Sequence, residues 1–541
     1  MSNPYSSAIN PSNTPQSESL FGKNQIKNAA GGFVFKISPW DQLDRFLILG
    51  TEGGTYYVSE RKLTQESIPA VLNLISEDGL RVVSRIVEIS DSGRAPRNTP
   101  AIFALAACSV YGSETVKSAA NSALPKVCRI GTHLFQWAES LKALNGHGPS
   151  GAGQRRALAK WYTEKNTDAL AYQLAKYQQR EGWSHRDLLR LCKPGSKQVE
   201  KMKTEEGRAA LAWATGAWNT DLEGSNIVHF LPGILGAFEE AKKAEDEKTI
   251  VKLIIDHGLT REMIPSQWLD SPAVWDALLV HMLPEAIVRN LGKMSSTKLL
   301  KPLSAAEKFI ADRLTDVEAL RKSRLHPVTL LNARKVYGSG HGVKGSLSWA
   351  PSQGVLYALD TAFDLAFQAV EPCNKRLYIA IDGSGSMTMA KCIGLEALTC
   401  VEGAAAMAMV TARRENRFYL AGFDTRLKIL DVSKQSSYSK IVQQLGYGGG
   451  TDASIPFQHA AQENLEVDTF IVYTDNETWH GDRHPCVALD KYRQKTGIPA
   501  KLAVVAMSAT DYSIGDNADA GTMNVVGFDT NAPAVIADFC R

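Results

Sequence analysis

Three oxygen-bearing side chains lie two residues apart in one short stretch: Asp382, Ser384 and Ser386. The apolar run Leu377–Ile381 before them has the composition of a strand buried on both faces. A helix-compatible segment follows, from about Leu395 to Arg414. One carboxylate and two hydroxyls are hard ligands of the kind that Mg²⁺ or Mn²⁺ prefers. The stretch is therefore either a cation-binding turn or an ordinary Gly/Ser turn.

Two later segments supply the remaining parts of a cation site. Gly448–Asp452 is a flexible loop with a hydroxyl at Thr451, and the apolar run Asp468–Asp475 ends in a carboxylate. A neighbouring parallel strand would deliver that carboxylate to the same sheet edge. The full set forms the five-part pattern of a metal-ion-dependent adhesion site: Asp382, Ser384, Ser386, Thr451 and Asp475. Residues 375–541 therefore resemble a von Willebrand factor A domain.

This resemblance implies an α/β domain over residues 371–541 with one bound divalent cation. Mg²⁺ is the expected ion, with Mn²⁺ or Ca²⁺ as alternatives. Two carboxylates and neutral oxygens leave the shell of such an ion incomplete, so water or a substrate oxygen completes it. The resemblance implies that an acidic group of a protein partner takes that position.

The whole-chain totals indicate several domains and little net charge. The 541 residues exceed one ordinary core, and 60 Lys and Arg stand against 57 Asp and Glu. The eight cysteines contain no Cys-x-x-Cys pair, which argues against a common zinc site and for reduced thiols. Without an apolar run of transmembrane length or a signal-peptide pattern, the sequence predicts a cytoplasmic protein with no membrane association.

From about Leu63 to Phe367, apolar residues recur at helical spacing. The predicted helices are Leu63–Glu77, Thr99–Tyr111, Glu114–Cys128, His133–Leu144, Gln154–Tyr162, Ala169–Arg180, Arg186–Leu191, Val199–Trp213, Leu235–His257, Ser271–Leu291, Ser304–Ala319, His326–Tyr337 and Gly354–Val370. We expect the helix over Ser271–Leu291 to be broken or kinked at Pro284. No fixed period is apparent, so a solenoid is neither demonstrated nor excluded. Residues 1–20 are rich in Ser, Asn and Pro, which predicts a flexible tail.

One part of this helical region is strongly basic. Residues 155–203 carry twelve Lys and Arg against five acidic residues. Three like-charged pairs have i,i+4 spacing: Arg156/Lys160, Lys176/Arg180 and Arg186/Arg190. Each pair costs about a few tenths of a kcal/mol in an isolated helix. A phosphate backbone across the face would explain the repetition, and a solvated basic face is the alternative.

Aromatic and imidazole groups alternate with these charges: Trp161, Tyr177, Trp183 and His185. Such groups stack on unpaired bases in RNA-binding proteins. Trp161 and Trp183 are individually better explained as core residues. His185 either contacts RNA or caps the helix that begins at Arg186.

Several sequence blocks, together with the A domain, resemble the Ro autoantigen family, most closely its bacterial members. The blocks are Asn28–Phe33, Gly50–Tyr57, Arg129–Phe135, Lys176–Leu191, Arg289–Met294, Arg324–Pro327, Gly338–Gly345 and Tyr473–Trp479. They run through the TROVE module of that family and on into the A domain.

The resemblance implies a multidomain fold, in which an all-α, HEAT-like helical-repeat ring (TROVE) covers residues 21–370. The A domain bridges the ends of that ring. Small non-coding Y RNAs are the implied ligands of the outer basic surface, and single-stranded 3′ ends of misfolded RNAs enter the central hole. The implied protein partner is a 3′→5′ exoribonuclease such as polynucleotide phosphorylase, and we expect the chain itself to be monomeric.

Motif matching gives the expected RNA-binding residues. They are Arg155, Arg156, Lys160, Lys176, Arg180, His185, Arg186, Arg190 and Lys193. One departure from the family pattern is a shorter segment after Leu191, with Lys193 where a histidine is expected.

Two main functional hypotheses follow. The first is a non-catalytic RNA-binding scaffold in RNA quality control, and the second is a divalent-cation-dependent protein-binding scaffold that uses the A domain. A metal-dependent hydrolase is a third idea with less support, because the sequence has no P-loop, no HExxH pair and no evident second acidic cluster.

Overall fold

The computed structural model describes residues 14–50, 68–192, 204–216, 231–323, 325–343, 345–368, 370–391, 397–436, 438–445 and 448–541. The strands are β1 (Gln25–Lys27), β2 (Phe33–Lys36), β3 (Gln179–Arg180), β4 (Trp183–Ser184), β5 (Arg376–Asp382), β6 (Arg417–Phe423), β7 (Leu427–Ile429), β8 (Thr469–Thr474), β9 (Lys501–Ala506), β10 (Tyr512–Ser513) and β11 (Thr522–Val526).

The helices up to residue 365 are α1 (Pro39–Leu49), α2 (Pro69–Ser92), α3 (Thr99–Tyr111), α4 (Glu114–Val127), α5 (Gly131–Asn145), α6 (Ala152–Thr163), α7 (Thr167–Lys176), α8 (His185–Cys192), α9 (Glu205–Thr215), α10 (Gly233–Ala241), α11 (Glu247–His257), α12 (Pro272–His281), α13 (Pro284–Ser296), α14 (Ala305–Thr315), α15 (Val317–Ser323), α16 (Pro327–Ser339) and α17 (Gln353–Leu365). The later helices are α18 (Gly385–Met389), α19 (Cys400–Arg414), α20 (Tyr438–Leu445), α21 (Ile455–Gln462), α22 (Pro485–Thr496) and α23 (Ala532–Cys540). Within the described ranges, no helix has the length and apolar content needed to span a membrane.

Helices α1 to α17 form one array in which successive helices pack against near neighbours. Helix α3 is apolar on all sides, and residues 100–109 are buried because α1, α2, α4 and α5 surround it. Proline at the first helical position fixes several starts, since that position needs no N–H donor. These starts are Pro39, Pro69, Pro272, Pro284 and Pro327. The predicted break at Pro284 is confirmed, because α12 ends at His281 and α13 begins at Pro284.

The two ends of the array meet beside the A domain. His326, just before α16, points its Nε2 atom at two carbonyl oxygens: that of Arg94 at 3.2 Å and that of Phe528 at 2.9 Å. The Arg94 guanidinium forms an ion pair with Asp529, and the Arg94 carbonyl accepts from Thr530 N. The residue before α16, near the end of the array, therefore contacts a residue just after α2, near the beginning of the array.

The A domain is built on a six-stranded sheet with the order β11-β9-β8-β5-β6-β7. All neighbours are parallel except the edge strand β7, which is antiparallel to β6. Strand β5 lies between β6 and β8, and its residues after Arg376 are buried. The fold class predicted from the sequence, helical module followed by a Rossmann-like α/β domain, is the one observed.

The N-terminal segment packs on the A domain instead of on the helical array. Strands β1 and β2 form an antiparallel pair, and β2 pairs with β10 near the end of the chain. Gln16 N donates to the Gly481 carbonyl, and Thr14, Gln16 and Leu20 are buried. The prediction of a flexible tail over residues 1–20 is therefore wrong for residues 14–20, because hydrogen bonds to distant residues hold them. Residues 1–13 lie outside the described ranges.

Most predicted helices differ from the observed bounds, and three of them show the physical reasons. The helix predicted over 63–77 runs from Pro69 to Ser92, with a kink at Asp78, and residues 63–67 lie outside the described ranges. The helix predicted over 235–257 is two helices, because Asp246 caps a new start through its bond to Thr249 N. The helix predicted over 169–180 ends at Lys176. A hairpin follows, whose turn residues Glu181 and Gly182 have φ values of 52° and 78°.

Candidate functional site

Both carboxylates of the predicted cation site lie at the carboxyl ends of adjacent parallel strands. Asp382 is the last residue of β5, and Asp475 directly follows β8. The register pairs Ile381 with Tyr473, which brings the two acids to the same edge of the sheet. Asp382 is fully buried and Asp475 is 2% exposed.

The hydroxyls of the turn after β5 lie beside these acids. Ser384 N donates to Asp382 Oδ1 at 3.0 Å, and the Ser384 and Ser386 Oγ atoms are 3.1 Å apart. Thr451 arrives on a separate loop, which reaches the turn through Gly385 N and the Gly449 carbonyl. The Thr451 carbonyl accepts from Trp479 N and His480 N, just beyond Asp475. All five predicted ligands therefore come to one end of the sheet.

The electrostatics of this cluster suit a cation. Burial, with the neighbouring charge of Asp475, raises the pKa of Asp382 to about 7. Burial also raises the pKa of Asp475, although the Ser386 hydroxyl opposes the shift. Asp475 Oδ2 has no hydrogen-bond partner among the described residues. Two buried acids with an unsatisfied oxygen fit a divalent ion, which would be held by Asp382, Ser384, Ser386, Thr451 and Asp475.

Sequence reasoning missed Thr474, a residue that supports the Asp382 carboxylate. Thr474 donates its Oγ1 to Asp382 Oδ2 at 2.7 Å, which fixes the Asp382 carboxylate. Its position, immediately before a strand-ending acid, is the signal that could have found it. In the described part of the chain, no group of three or more His, Cys, Asp or Glu side chains could hold a metal ion.

The basic segment forms an exposed surface on two contacting helices, α6 and α8. Arg156 and Lys160 lie one turn apart on α6, and Arg186 and Arg190 lie one turn apart on α8. All four side chains are exposed, and within the described ranges none forms an ion pair. We call these four residues the basic face. Like charges without acidic partners make this surface favourable for an anion.

Three further predicted RNA contacts lie outside the basic face. Arg155 is exposed near the start of α6 and donates to the Ser150 carbonyl. Arg180 lies on the β3–β4 hairpin, where its side chain is 60% exposed and pairs with Glu181. Lys176 is only partly exposed, because its Nζ donates to Tyr172 Oη at 2.9 Å. The ninth predicted contact, Lys193, lies outside the described residues.

The prediction that His185 contacts RNA is wrong. Its ring is 3% exposed and packs against Phe135, Trp161 and Tyr162. Tyr162 Oη lies 2.9 Å from His185 Nδ1, and burial lowers the pKa of His185 to about 4. Trp161 is buried in the same cluster, as expected, so neither ring is available to a base.

Trp183 is half-buried and donates its Nε1 to Glu139 Oε2 at 2.9 Å. Tyr177 is also half-buried, and Lys176 Nζ lies 5.5 Å from its ring centre. Of the four aromatic and imidazole groups, only these two retain exposed surface. Only these two rings have surface that a base could contact, and both lie in or next to the hairpin.

Comparison with known proteins agrees with this architecture. The Ro60 vWA domain family matches residues 376–540, and the TROVE domain family matches residues 26–223 and 245–336. The chain is 36% identical to the RNA-binding protein RO60 of Caenorhabditis elegans, over 95% of this chain and 90% of that protein. It is 37% identical to the RNA-binding protein RO60 of Deinococcus radiodurans, over 99% and 98% of the two chains.

One solved structure is similar to this chain over most of the length of both. The crystal structure of the Deinococcus radiodurans RO (RSR) protein superposes with a TM-score of 0.69 and 35% identity, covering 93% of this chain and 99% of that one. These matches confirm the predicted family and its combination of a helical TROVE domain with a von Willebrand factor A domain. The chain belongs to the Ro family of TROVE-domain proteins.

Proposed function

We propose that the protein is a non-catalytic RNA-binding scaffold whose basic face holds an RNA phosphate backbone. The observation that carries this proposal is the exposure of Arg156, Lys160, Arg186 and Arg190, without acidic partners in the described ranges, on two contacting helices. Phosphates would replace the missing partners and relieve the repulsion within each pair. The relatives from two distant organisms, both named RNA-binding proteins, support the same function.

The proposed ligand of the basic face is a small structured non-coding RNA of the Y RNA type. The proposed second ligand is the single-stranded 3′ end of a misfolded RNA, which would enter the space enclosed by the helical array. The return of the array to Arg94 and His326 supports such an enclosed space. We further propose a cytoplasmic monomer that acts with a 3′→5′ exoribonuclease, such as polynucleotide phosphorylase, in RNA quality control and turnover.

The basic face is tested by charge reversal. Arg186→Glu with Arg190→Glu should remove most of the affinity for a structured RNA with a 3′ tail and should lower the salt slope by about 1–2. Fluorescence anisotropy at several salt concentrations measures both effects. Lys308→Glu with Arg321→Glu is the matched control, because both side chains are exposed but already pair with Asp312 and Glu318. Unchanged affinity in the α8 variant would contradict the proposed surface.

The absence of catalysis and the exoribonuclease partnership are tested together. The purified chain with Mg²⁺ should leave the tailed RNA intact over hours. Adding the chain to a 3′→5′ exoribonuclease should speed the loss of structured RNA, as followed on a gel. Cleavage by the chain alone, lost in Asp382→Ala, would favour a metal-dependent hydrolase instead.

A second function is proposed for the A domain: divalent-cation-dependent binding of an acidic protein ligand. The supporting observation is the buried pair Asp382 and Asp475, with the Asp475 Oδ2 atom unsatisfied among the described residues. Immobilised peptides with single Asp or Glu residues provide the probe. Capture should need Mg²⁺ and fail in Asp382→Ala, while that variant keeps its RNA affinity. Equal capture in EDTA would exclude this function.

A further inference from the structure

The loop that carries Asp475 is covered by a segment from the opposite end of the chain. Asn28 is 5% exposed, and its Nδ2 donates to two carbonyls of the loop: Asn476 at 3.2 Å and Thr478 at 2.8 Å. These two residues lie within the three positions that follow Asp475 in sequence. One buried amide thus fixes the backbone that orients a proposed metal ligand.

Gly32 permits this close approach. A Cβ atom at residue 32 would lie 2.0 Å from the Thr478 carbonyl oxygen, so a side chain there would push the loop and the segment apart. Gly32 N donates to Asn28 Oδ1 at 2.8 Å, which holds the Asn28 amide in the orientation that serves the loop. Both hydrogen-bonding ends of the Asn28 side chain are therefore used.

Glu477 completes the junction from the side of the loop. Its carboxylate is fully buried, with Oε2 accepting from Ala30 N at 3.0 Å and Oε1 accepting from Tyr512 Oη. Arg45 of α1 donates to the carbonyls of Thr510 at 2.6 Å and Tyr512 at 2.7 Å. The first helix of the array, the N-terminal segment and the Asp475 loop are thus joined by one buried hydrogen-bond network.

We propose that Asn28, Gly32 and Glu477 are positioning residues of the cation site, and that cation binding is linked to docking of the N-terminal segment. This inference rests on the cation site proposed above. In other metal sites, mutation of a side chain that orients a metal ligand from outside the coordination shell typically lowers metal affinity by about 10–100-fold. Linkage is reciprocal, so the cation should stabilise the docked segment as much as docking strengthens cation binding.

The experiment is a Mn²⁺ titration of the full chain, with free Mn²⁺ measured by electron paramagnetic resonance. Asn28→Ala should raise the Kd of Mn²⁺ by about 10–100-fold. Asn145→Ala is the matched control, because it removes another Asn side chain whose Nδ2 donates to a backbone carbonyl, that of Gly148 at 3.1 Å, but within the helical array and not in the N-terminal segment or the Asp475 loop. The control should bind Mn²⁺ as the wild type does, whereas Asp382→Ala should not bind it.

A second measurement needs no variant. Hydrogen exchange of residues 25–36 in the wild type should slow when Mg²⁺ is added, and it should not slow in Asp382→Ala. Equal Kd values for the wild type and Asn28→Ala, or exchange of residues 25–36 that ignores Mg²⁺, would overturn this inference while leaving the cation site intact. A wild type that binds no Mn²⁺ would overturn both.

Discussion

The Arg94 guanidinium and the Asp529 carboxylate form a two-pronged ion pair, with Nε to Oδ1 at 3.0 Å and Nη2 to Oδ2 at 2.5 Å. Arg94 follows the last residues of α2, whereas Asp529 precedes α23 of the A domain. The two side chains are only 9% and 6% exposed. The pair therefore joins the start of the helical array to the A domain at a site from which water is nearly excluded.

Removing one partner of this pair should be costly. Arg94→Ala leaves the Asp529 carboxylate buried with fewer donors, and we expect a loss of about 3–5 kcal/mol in stability. The double change Arg94→Met with Asp529→Leu removes both charges and should cost less than Arg94→Ala alone. Thermal unfolding of the three proteins checks the order. Equal melting temperatures for Arg94→Ala and the wild type would show that the pair does not hold this junction.

The neighbouring His326 predicts a loss of stability in acid. Its Nε2 donates to the carbonyls and its Nδ1 accepts from Val328 N, so the neutral ring is required. Burial lowers the pKa of His326 to about 4, against about 6.5 when unfolded. The unfolded chain thus takes up the proton first, and stability falls as the pH drops from about 6.5 toward 4.

At pH 5 this residue alone should cost about 2 kcal/mol. His326→Gln should lower stability at pH 7 but reduce the drop in melting temperature between pH 7 and pH 5. His147→Gln changes an exposed histidine and should keep the wild-type pH dependence. A pH dependence that is the same in His326→Gln and the wild type would contradict the assignment.

Asp382→Asn should separate stability from cation binding. Replacing one of two buried carboxylates relieves their repulsion, so the variant should be more stable than the wild type in EDTA by on the order of 2 kcal/mol. In Mg²⁺ the order should reverse, because only the wild type gains stability from the ion. Melting temperatures in both buffers measure this crossing. A variant that Mg²⁺ still stabilises would show that Asp382 is not a ligand.

His185 and Arg186 are neighbours in sequence, but we expect substitution of His185 to lower stability and substitution of Arg186 to weaken RNA binding. His185→Ala removes a buried ring from an aromatic cluster and should destabilise the fold by on the order of 3 kcal/mol. Arg186→Ala removes an exposed charge and should change stability little while weakening RNA binding. Calorimetry and anisotropy on both variants distinguish the roles. Normal stability in His185→Ala would contradict the buried role.

The elements that sequence predicts well are those with local signals. The convergence of Asp382 and Asp475 was predictable because each follows or ends an apolar run, and parallel strands present such ends at one edge of the sheet. The helix over 99–111 was predicted with its observed bounds, since its apolar composition is flanked by Pro100 and Gly112. The exposure of the basic face agrees with both alternatives drawn from the sequence, a phosphate-binding face and a solvated one.

The burial of His185 and the hydrogen bonds of Asn28 were not predictable, because they depend on residues far away in sequence. His185 has the composition of a ligand-binding residue, and only the packing of Phe135 and Tyr162 around it shows that it is core. The role of Asn28 was not apparent because its partners lie about 450 positions away. No local pattern encodes such a pairing.

The pairing of β2 with β10 has a consequence for biosynthesis. Lys36 pairs with Tyr512, so this edge of β2 has no partner until the ribosome has made almost the whole chain. At typical translation rates of 5–20 residues per second, that wait is on the order of 25–95 s. An unpaired strand edge is exposed to wrong partners during this time. Nascent chains stalled before residue 510 should therefore depend on chaperones far more than the released protein does.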